Sequence, residues 1–204
     1  MNIFKYQKEG DIGFTYPFKK NINIPKKDIP LIGKHNLLNI YAAVSVAKLF
    51  KISDTNIKKA IKNFKPLPYR LENVGMHKGI IFYDDSISTT PESTIEALHA
   101  LKKVDTIFLG GSDEGFNYKE LEKTLRAKKV RNIVLFPDTG KRILRSERGF
   151  NALHTKSMKA AVSFAYKNTK PGSICLLSTA SPSTSIWKNY IEKGSEFQKY
   201  IKSI

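Results

Sequence analysis

From residue 79 onward the sequence alternates short apolar runs with amphipathic stretches, and no other feature limits the possible folds as much. The runs lie at 79–83 (GIIFY), 106–109 (TIFL), 132–136 (NIVLF) and 174–177 (ICLL). Helices are predicted to begin near Pro91, Asn117, Gly140, Ser157 and Ser185. A strand with one wet face would alternate apolar and polar residues; these runs are apolar almost throughout. Near-continuous apolar strands separated by helices predict a parallel sheet covered on both faces, an α/β fold.

That topology sorts the connections. Parallel strands with right-handed crossovers place every strand-to-helix loop on one edge of the sheet, where such folds bind ligands. Here those loops read Asp84-Asp85-Ser86, Gly110-Gly111-Ser112-Asp113, Pro137-Asp138-Thr139 and Ser178-Thr179-Ala180-Ser181. All are small, polar or glycine-rich, whereas a returning turn such as Lys102-Lys103-Val104 is plain. The densest is the first. Two carboxylates lead into the hydroxyls of Ser86, Ser88, Thr89 and Thr90, and Pro91 then opens a helix. An N-cap at Thr90 uses one of those hydroxyls. Gly110-Gly111 also reads as a tight turn, and residues 178–185 as an irregular turn with a cap. Converging on one edge, the loops favour a site for an anionic ligand.

Residues 1–66 follow a different pattern. Short strands are predicted at 2–7, 12–18 and 21–24, broken by Gly10, Gly13, Pro17, Pro25 and Pro30. Residues 36–50 read as a buried helix, with Leu37, Ile40, Tyr41, Val44, Ala47 and Leu49 near helical spacing. Ser53-Asp54-Thr55 caps a second helix over 56–64 that aligns Ile57, Ile61 and Phe64. Pro66 and Pro68 end it and mark a domain boundary.

Several function classes fall away. The chain of 204 residues carries a formal charge of +17, but only six of its 35 basic residues are arginines and the lysines are dispersed. A nucleic-acid groove would cluster arginines with aromatics, so no nucleic-acid partner is expected. No run approaches the ~18 apolar residues of a membrane span, and the start shows no export signal; a cytoplasmic protein without a membrane partner is expected. The single cysteine, Cys175, lies in an apolar run and reads as a buried hydrophobe. The four histidines show no metal spacing, so no metal ligands are assigned. No G-x-x-x-x-G-K-[ST] phosphate cradle is present.

Five collinear motifs remain: Leu31-Ile-Gly-Lys-His-Asn-Leu-Leu-Asn39, Leu67-Pro-Tyr-Arg-Leu-Glu72, Asp84-Asp-Ser-Ile-Ser-Thr-Thr-Pro91, Leu109-Gly-Gly-Ser-Asp113, and Leu177-Ser-Thr-Ala-Ser-Pro-Ser183 with Trp187-Lys-Asn-Tyr190 and Gly194…Phe197. Together they resemble the Mur ligase family, and within it the branch that adds D-glutamate. The resemblance runs from about residue 31 to the end. It implies that residues 1–66 are the strand and helix tail of the family's central, ATP-binding domain. Residues 67–204 would be its C-terminal domain, a Rossmann-like (dinucleotide-binding-like) sheet. It implies ATP as cosubstrate, Mg²⁺ held elsewhere, and UDP-N-acetylmuramoyl-L-alanine and D-glutamate as substrates in peptidoglycan precursor synthesis.

By the same resemblance Asn36, Asn39, Arg70 and Asp85 contact ATP, while Thr89, Ser183 and Tyr190 surround D-glutamate. No catalytic residue is assigned, because the P-loop and the carbamylated lysine lie outside these motifs. The chain is therefore expected to be inactive alone and to need a P-loop-bearing partner, for which a separately encoded N-terminal half is the candidate. The rival expectation is a non-catalytic nucleotide- or anion-binding fragment. Three positions depart from the family pattern: Tyr69 where histidine is commoner, Ile87 where many members have lysine, and Glu114 where a lysine usually meets D-glutamate. Lys119 is a candidate substitute for that last lysine.

Overall fold

The computed structural model describes residues 4–6, 11–15 and 21–203. The parts of the first two predicted strands at residues 2–3, 7 and 16–18, and the breaks at Gly10 and Pro17, lie outside the described residues. The chain forms two compact units, Met1–Pro66 and Leu67–Ile204.

In the first unit, β1 (Phe4–Tyr6), β2 (Asp11–Thr15) and β3 (Asn21–Pro25) form an antiparallel meander. A 3₁₀ turn over Lys26–Asp28 leads to α1 (Lys34–Leu49) and α2 (Asp54–Lys62). The core is small: Ile22 and Ile24 of β3 meet Ile29, Leu37, Ile40 and Val44, with Ile57 from α2. Ser53 caps α2, its hydroxyl accepting from the Asn56 N–H at 3.3 Å. Gly33, at φ +96°, precedes α1, so Asn36 lies inside the helix. The expectation of a buried helix over 36–50 holds for one face only. Leu49 is 62% exposed and Phe64 is 48% exposed, because the small unit covers a single side of each helix.

The second unit is a six-stranded sheet in the order β4-β5-β9-β6-β7-β8. Its strands are β4 (Glu72–His77), β5 (Ile80–Asp84), β6 (Val104–Gly110), β7 (Asn132–Phe136), β8 (Asn151–His154) and β9 (Ile174–Leu177). Only β4 runs antiparallel; the other neighbours pair in parallel. Its helices are α3 (Pro91–Ala100), α4 (Lys119–Ala127), α5 (Gly140–Ile143), α6 (Met158–Asn168) and α7 (Tyr190–Ser203). The period of two divides each strand between two cores. Ile107, Leu109, Ile133, Leu135 and Leu176 face α3, α4 and α5. Phe108, Val134, Phe136, Cys175 and Leu177 face α6 and α7. Cys175 is buried in that layer, and burial raises its thiol pKa well above the ordinary value. The predicted fold class is therefore the one observed.

Two strands escaped the pattern, β4 and β8. Both lie at sheet edges with partly exposed residues, so neither has a continuous apolar run. A bulge between Asn73 and Gly75 further disturbs β4. The last helix begins at Tyr190 rather than near Ser185. Residues 183–187 instead form a turn, with the Ile186 and Trp187 N–H groups donating to the Ser183 carbonyl. Trp187 packs edge-on against Phe136 at 5.0 Å, and Asn189 caps the helix by accepting from the Glu192 N–H.

Candidate functional site

The loops that follow β5, β6, β7 and β9 share one rim of the second unit, and hydrogen bonds stitch them together. The Asp85 N–H donates to the Leu177 carbonyl (2.8 Å), the Gly110 N–H to the Thr179 carbonyl (2.8 Å), and the Ser112 N–H to the Pro182 carbonyl (2.9 Å). Asp138 and Thr139 donate their N–H groups to the Gly111 carbonyl. The two glycines are required by close approach. A side chain at Gly110 (φ +104°) would collide with the Phe136 carbonyl, and one at Gly111 with the Pro182 carbonyl. The Gly111 N–H is itself used by the Thr139 hydroxyl at 3.1 Å. This loop thus joins its neighbours instead of offering a free anion cradle.

Asp85 organises the rim from within. It is buried, and its oxygens accept from the Leu71 N–H (3.1 Å) and from the hydroxyls of Ser178 (2.8 Å) and Ser88. Thr94 shares a further hydrogen bond with Ser178. Burial pushes the Asp85 carboxyl up to about 6, against the opposing pull of these donors and of the Arg70 charge. Asp84, also buried, accepts from the Ser86 N–H and from Gln198; burial raises its carboxyl as well.

The turn carrying Arg70 is pinned to this loop. Tyr69 and Leu71 flank it at φ +63° and +46°. The Tyr69 N–H donates to Glu72, and the Tyr69 carbonyl accepts from the Ile87 N–H. Between these anchors Arg70 is exposed.

Thr89 is half-buried and unpartnered through its hydroxyl among the described residues. Ser183 is only 4% exposed, yet its hydroxyl oxygen has no hydrogen-bond partner. A buried hydroxyl without a partner costs about 1–3 kcal/mol, and the Ser86 hydroxyl on the same rim is likewise without one. Tyr190 packs edge-on against Tyr69 at 6.0 Å, half-buried. The five expected site residues of this unit therefore share one rim. Thr90, by contrast, is the N-cap of α3 and forms a capping box with Ser93.

Asn36 and Asn39 form a pair in the first unit. The Asn36 amide donates to the Ile32 carbonyl (2.7 Å) and accepts from the Asn39 amide (3.3 Å). Asn36 is buried by these contacts. Asn39 is exposed and lines an apolar cavity of about 290 Å³ with Leu31, Ile40, Ala43, Ile61 and Phe64. Apolar walls with one amide suit the face and edge of a flat heterocycle.

Two residues were not anticipated. Lys193, in the first turn of α7, is 0% exposed and donates from Nζ to the Thr179 hydroxyl at 2.6 Å. Burial lowers its ammonium to about 7, although Asp84 and Asp85 pull it back up. In sequence it is one lysine among 29; the available signal was the adjacent Gly194. A side chain at Gly194 would strike Tyr69, Ser86 and Asp84, so α7 lies directly on the rim. The second is Arg142 of α5, which pairs with Asp113. Glu114 beside it is exposed. Lys119, Arg142 and Arg145 line one polar cleft of about 300 Å³. Among the described residues no group of three His, Cys, Asp or Glu side chains is placed to hold a metal.

No protein-family model matches the chain. The UDP-N-acetylmuramoylalanine--D-glutamate ligase of Caldanaerobacter subterraneus subsp. tengcongensis is 35% identical over 98% of this chain and 44% of its own length. That of Clostridioides difficile is 34% identical over 88% of this chain and 40% of its own. The chain thus spans less than half the length of these relatives. Among solved structures, MurF ligase from Thermotoga maritima, solved with ADP, superposes with a TM-score of 0.68 at 17% identity, over 98% of this chain and 46% of that one. UDP-N-acetylmuramate-alanine ligase MurC from the same organism gives 0.66 at 16% identity, over 96% and 44%. By sequence along nearly its whole length, and by fold, the chain belongs to the Mur ligase family, and its curated relatives are the D-glutamate ligases.

Proposed function

We propose that this chain is the closing portion of an ATP-dependent ligase that joins D-glutamate to UDP-N-acetylmuramoyl-L-alanine. Its first unit is the tail of the central ATP-binding domain, and its second is the C-terminal domain that receives D-glutamate. The observation that carries the reading is the Ser183 hydroxyl, buried and unpartnered on the rim, in a chain whose relatives are D-glutamate ligases along nearly its whole length.

In the reaction, the alanine carboxylate takes the γ-phosphoryl group of ATP, releasing ADP and leaving an acyl phosphate. The D-glutamate amine attacks that carbonyl, loses a proton, and expels inorganic phosphate as the amide forms. The chain's residues bind and orient. Ser183 and Thr89 donate hydroxyls to the amino acid's carboxylates, and Tyr190 walls the site, holding the amine in line. Arg70 offers a guanidinium to the nucleotide phosphates. The apolar cavity beside Asn39 takes the adenine. Asp85 acts on the nucleotide side by fixing the turn that carries Arg70, because its own oxygens are engaged by protein donors. Lys119 and Arg142 supply positive charge near Glu114, where a carboxylate alone would repel an acidic amino acid. Mg²⁺ would neutralise phosphate charge in the reaction, and we assign its ligands to the remaining portion of the ligase.

The test mixes this chain with the part of the Caldanaerobacter ligase outside the matched span. ATP, UDP-N-acetylmuramoyl-L-alanine and labelled D-glutamate are added. Amide product should form only in the mixture, and Ser183→Ala should raise the KM for D-glutamate about tenfold, the effect of one lost charge-assisted hydrogen bond. Binding of ADP by the chain without product formation from any mixture would favour a non-catalytic nucleotide-binding fragment instead.

A further inference from the structure

Open parallel sheets bind ligands beyond the carboxyl ends of two neighbouring strands whose following helices go to opposite faces. In the second unit β9 meets that condition against both β5 and β6. The helix after β9, α7, packs on one face, and those after β5 and β6, α3 and α4, pack on the other. These two gaps belong to the rim already described, and hydrogen bonds between their loops close them. The neighbours β7 and β8 meet the same condition. After β7 the chain enters α5, whose Ile143 joins the core under α3 and α4. After β8 it enters α6, which crosses the opposite face through Met158, Ala161 and Val162. The last rung between the two strands is the Thr155 N–H donating to the Leu135 carbonyl at 3.2 Å. Beyond it, among the described residues, no hydrogen bond joins loop 137–139 to loop 155–157. A cavity of about 400 Å³ opens in that gap.

The ends of β7 and β8 and their loops supply its walls. Leu135, Phe136 and Pro137 give the apolar lining, and the exposed residues Asp138, Lys141 and Lys156 give the charges. His154 also lines it, but its Nε2 is engaged with Glu147 at 2.6 Å. Neither lysine has an ion-pair partner among the described residues. The residue after Lys141, Arg142, pairs with Asp113 and lines a separate cleft. Two free ammonium groups from different loops match one phosphate dianion. Asp138 would repel a bare anion, yet its carboxylate can accept from sugar hydroxyls. Apolar lining of this volume suits a flat ring.

We infer that the crevice between β7 and β8 is a second ligand site, and that it takes a nucleoside monophosphate. The phosphate lies between Lys141 and Lys156, the ribose hydroxyls meet Asp138, and the base covers the apolar lining. The inference stands apart from the ligase reading, because none of these residues is among those assigned to ATP or D-glutamate.

The full chain is titrated with AMP, UMP, ribose 5-phosphate and inorganic phosphate, and backbone amide shifts are followed by NMR. Both nucleotides should move the amides of Asp138, Lys141, Thr155 and Lys156 and saturate with a Kd below about 1 mM. Ribose 5-phosphate should bind at least about fivefold more weakly, having lost the apolar contact of the base. The double variant Lys141→Ala/Lys156→Ala should weaken AMP at least about tenfold through two lost charged contacts, with an unchanged urea midpoint because both side chains are exposed. Asn39→Ala should leave these shifts as they are, which separates the site from the cavity of the first unit. Four outcomes overturn the inference: nucleotide shifts confined to residues 21–66, no saturation, AMP binding indifferent to both lysines, or inorganic phosphate matching AMP in shifts and affinity.

Discussion

The two units handle polarity in opposite ways. The second buries polar groups at its rim and satisfies most of them: Asp84, Asp85, Ser88, Thr139, Ser178, Thr179, Ser181 and Lys193 are sealed in, each hydrogen-bonded within the network. The first leaves apolar groups in water, from Leu38 to Phe64. A saturated polar network needs no outside help to persist; an uncovered apolar face does. The lesson is that one unit spends its polar groups on an internal network, while the other leaves one helix face uncovered.

The largest contrast should appear in truncations. Phe108, buried between Phe136 and Phe197, should cost about 3–5 kcal/mol when cut to alanine. Leu49→Ala, although also a loss of an apolar side chain, should change the stability of the isolated chain by less than about 0.5 kcal/mol. Urea denaturation of the two variants checks both; a large loss at Leu49 would mean that its face is already covered.

Asp85→Ala comes next. It strips three donors of their acceptor inside the rim and should cost about 2–4 kcal/mol, read as a lower urea midpoint. Loss of protection at the Leu71 amide should accompany it in hydrogen exchange.

A smaller effect lies in the pH dependence. Asp85 holds its proton more tightly folded, with a carboxyl at about 6 against an ordinary 3.8. Its contribution to stability is therefore full below the ordinary value and is lost as pH rises through 6. Lys193 holds its proton less tightly folded, at about 7 against 10.5. Its penalty is full below 7 and fades as pH climbs toward 10.5. Urea midpoints should fall between about pH 4 and 6 and recover above about pH 7. Lys193→Met should flatten the upper limb and leave the lower one. A wild-type-like rise above neutrality in that variant would assign the effect elsewhere.

The smallest effect tests the first unit's cavity. Asn39→Ala should alter stability by less than about 0.5 kcal/mol, as for an exposed side chain, while weakening ADP binding in the mixture. A stability loss with unchanged ADP binding would make Asn39 a scaffold residue.

How much of this was legible follows from where each signal lives. The four central strands were visible because both of their faces are buried, which leaves continuous apolar runs. β4 and β8, half-covered edges, carry no such mark. The rim was visible through topology, since parallel strands put their loops on one side. Its inner wiring was not. Asp85 reads as a ligand-facing carboxylate until its donors are seen, and Lys193 is buried only because Gly194 lets α7 approach. Arg142 beside Asp113 was hidden as well, as a contact between a loop and α5 across 29 residues of sequence. The exposure of α1 was half-visible: its apolar residues were evident, but sequence does not say which of two faces finds cover.

The hydroxyls between Asp84 and Pro91 divide by obligation. Ser88 ties to Asp85, Thr90 starts α3, and Ser86 is sealed at 0% exposure. Thr89 alone is partly open and uncommitted. Substitutions at Ser88 and Thr90 should carry a folding penalty, whereas one at Thr89 should act on the amino-acid site instead. A change of amino-acid preference in this lineage would have its least costly entry point there.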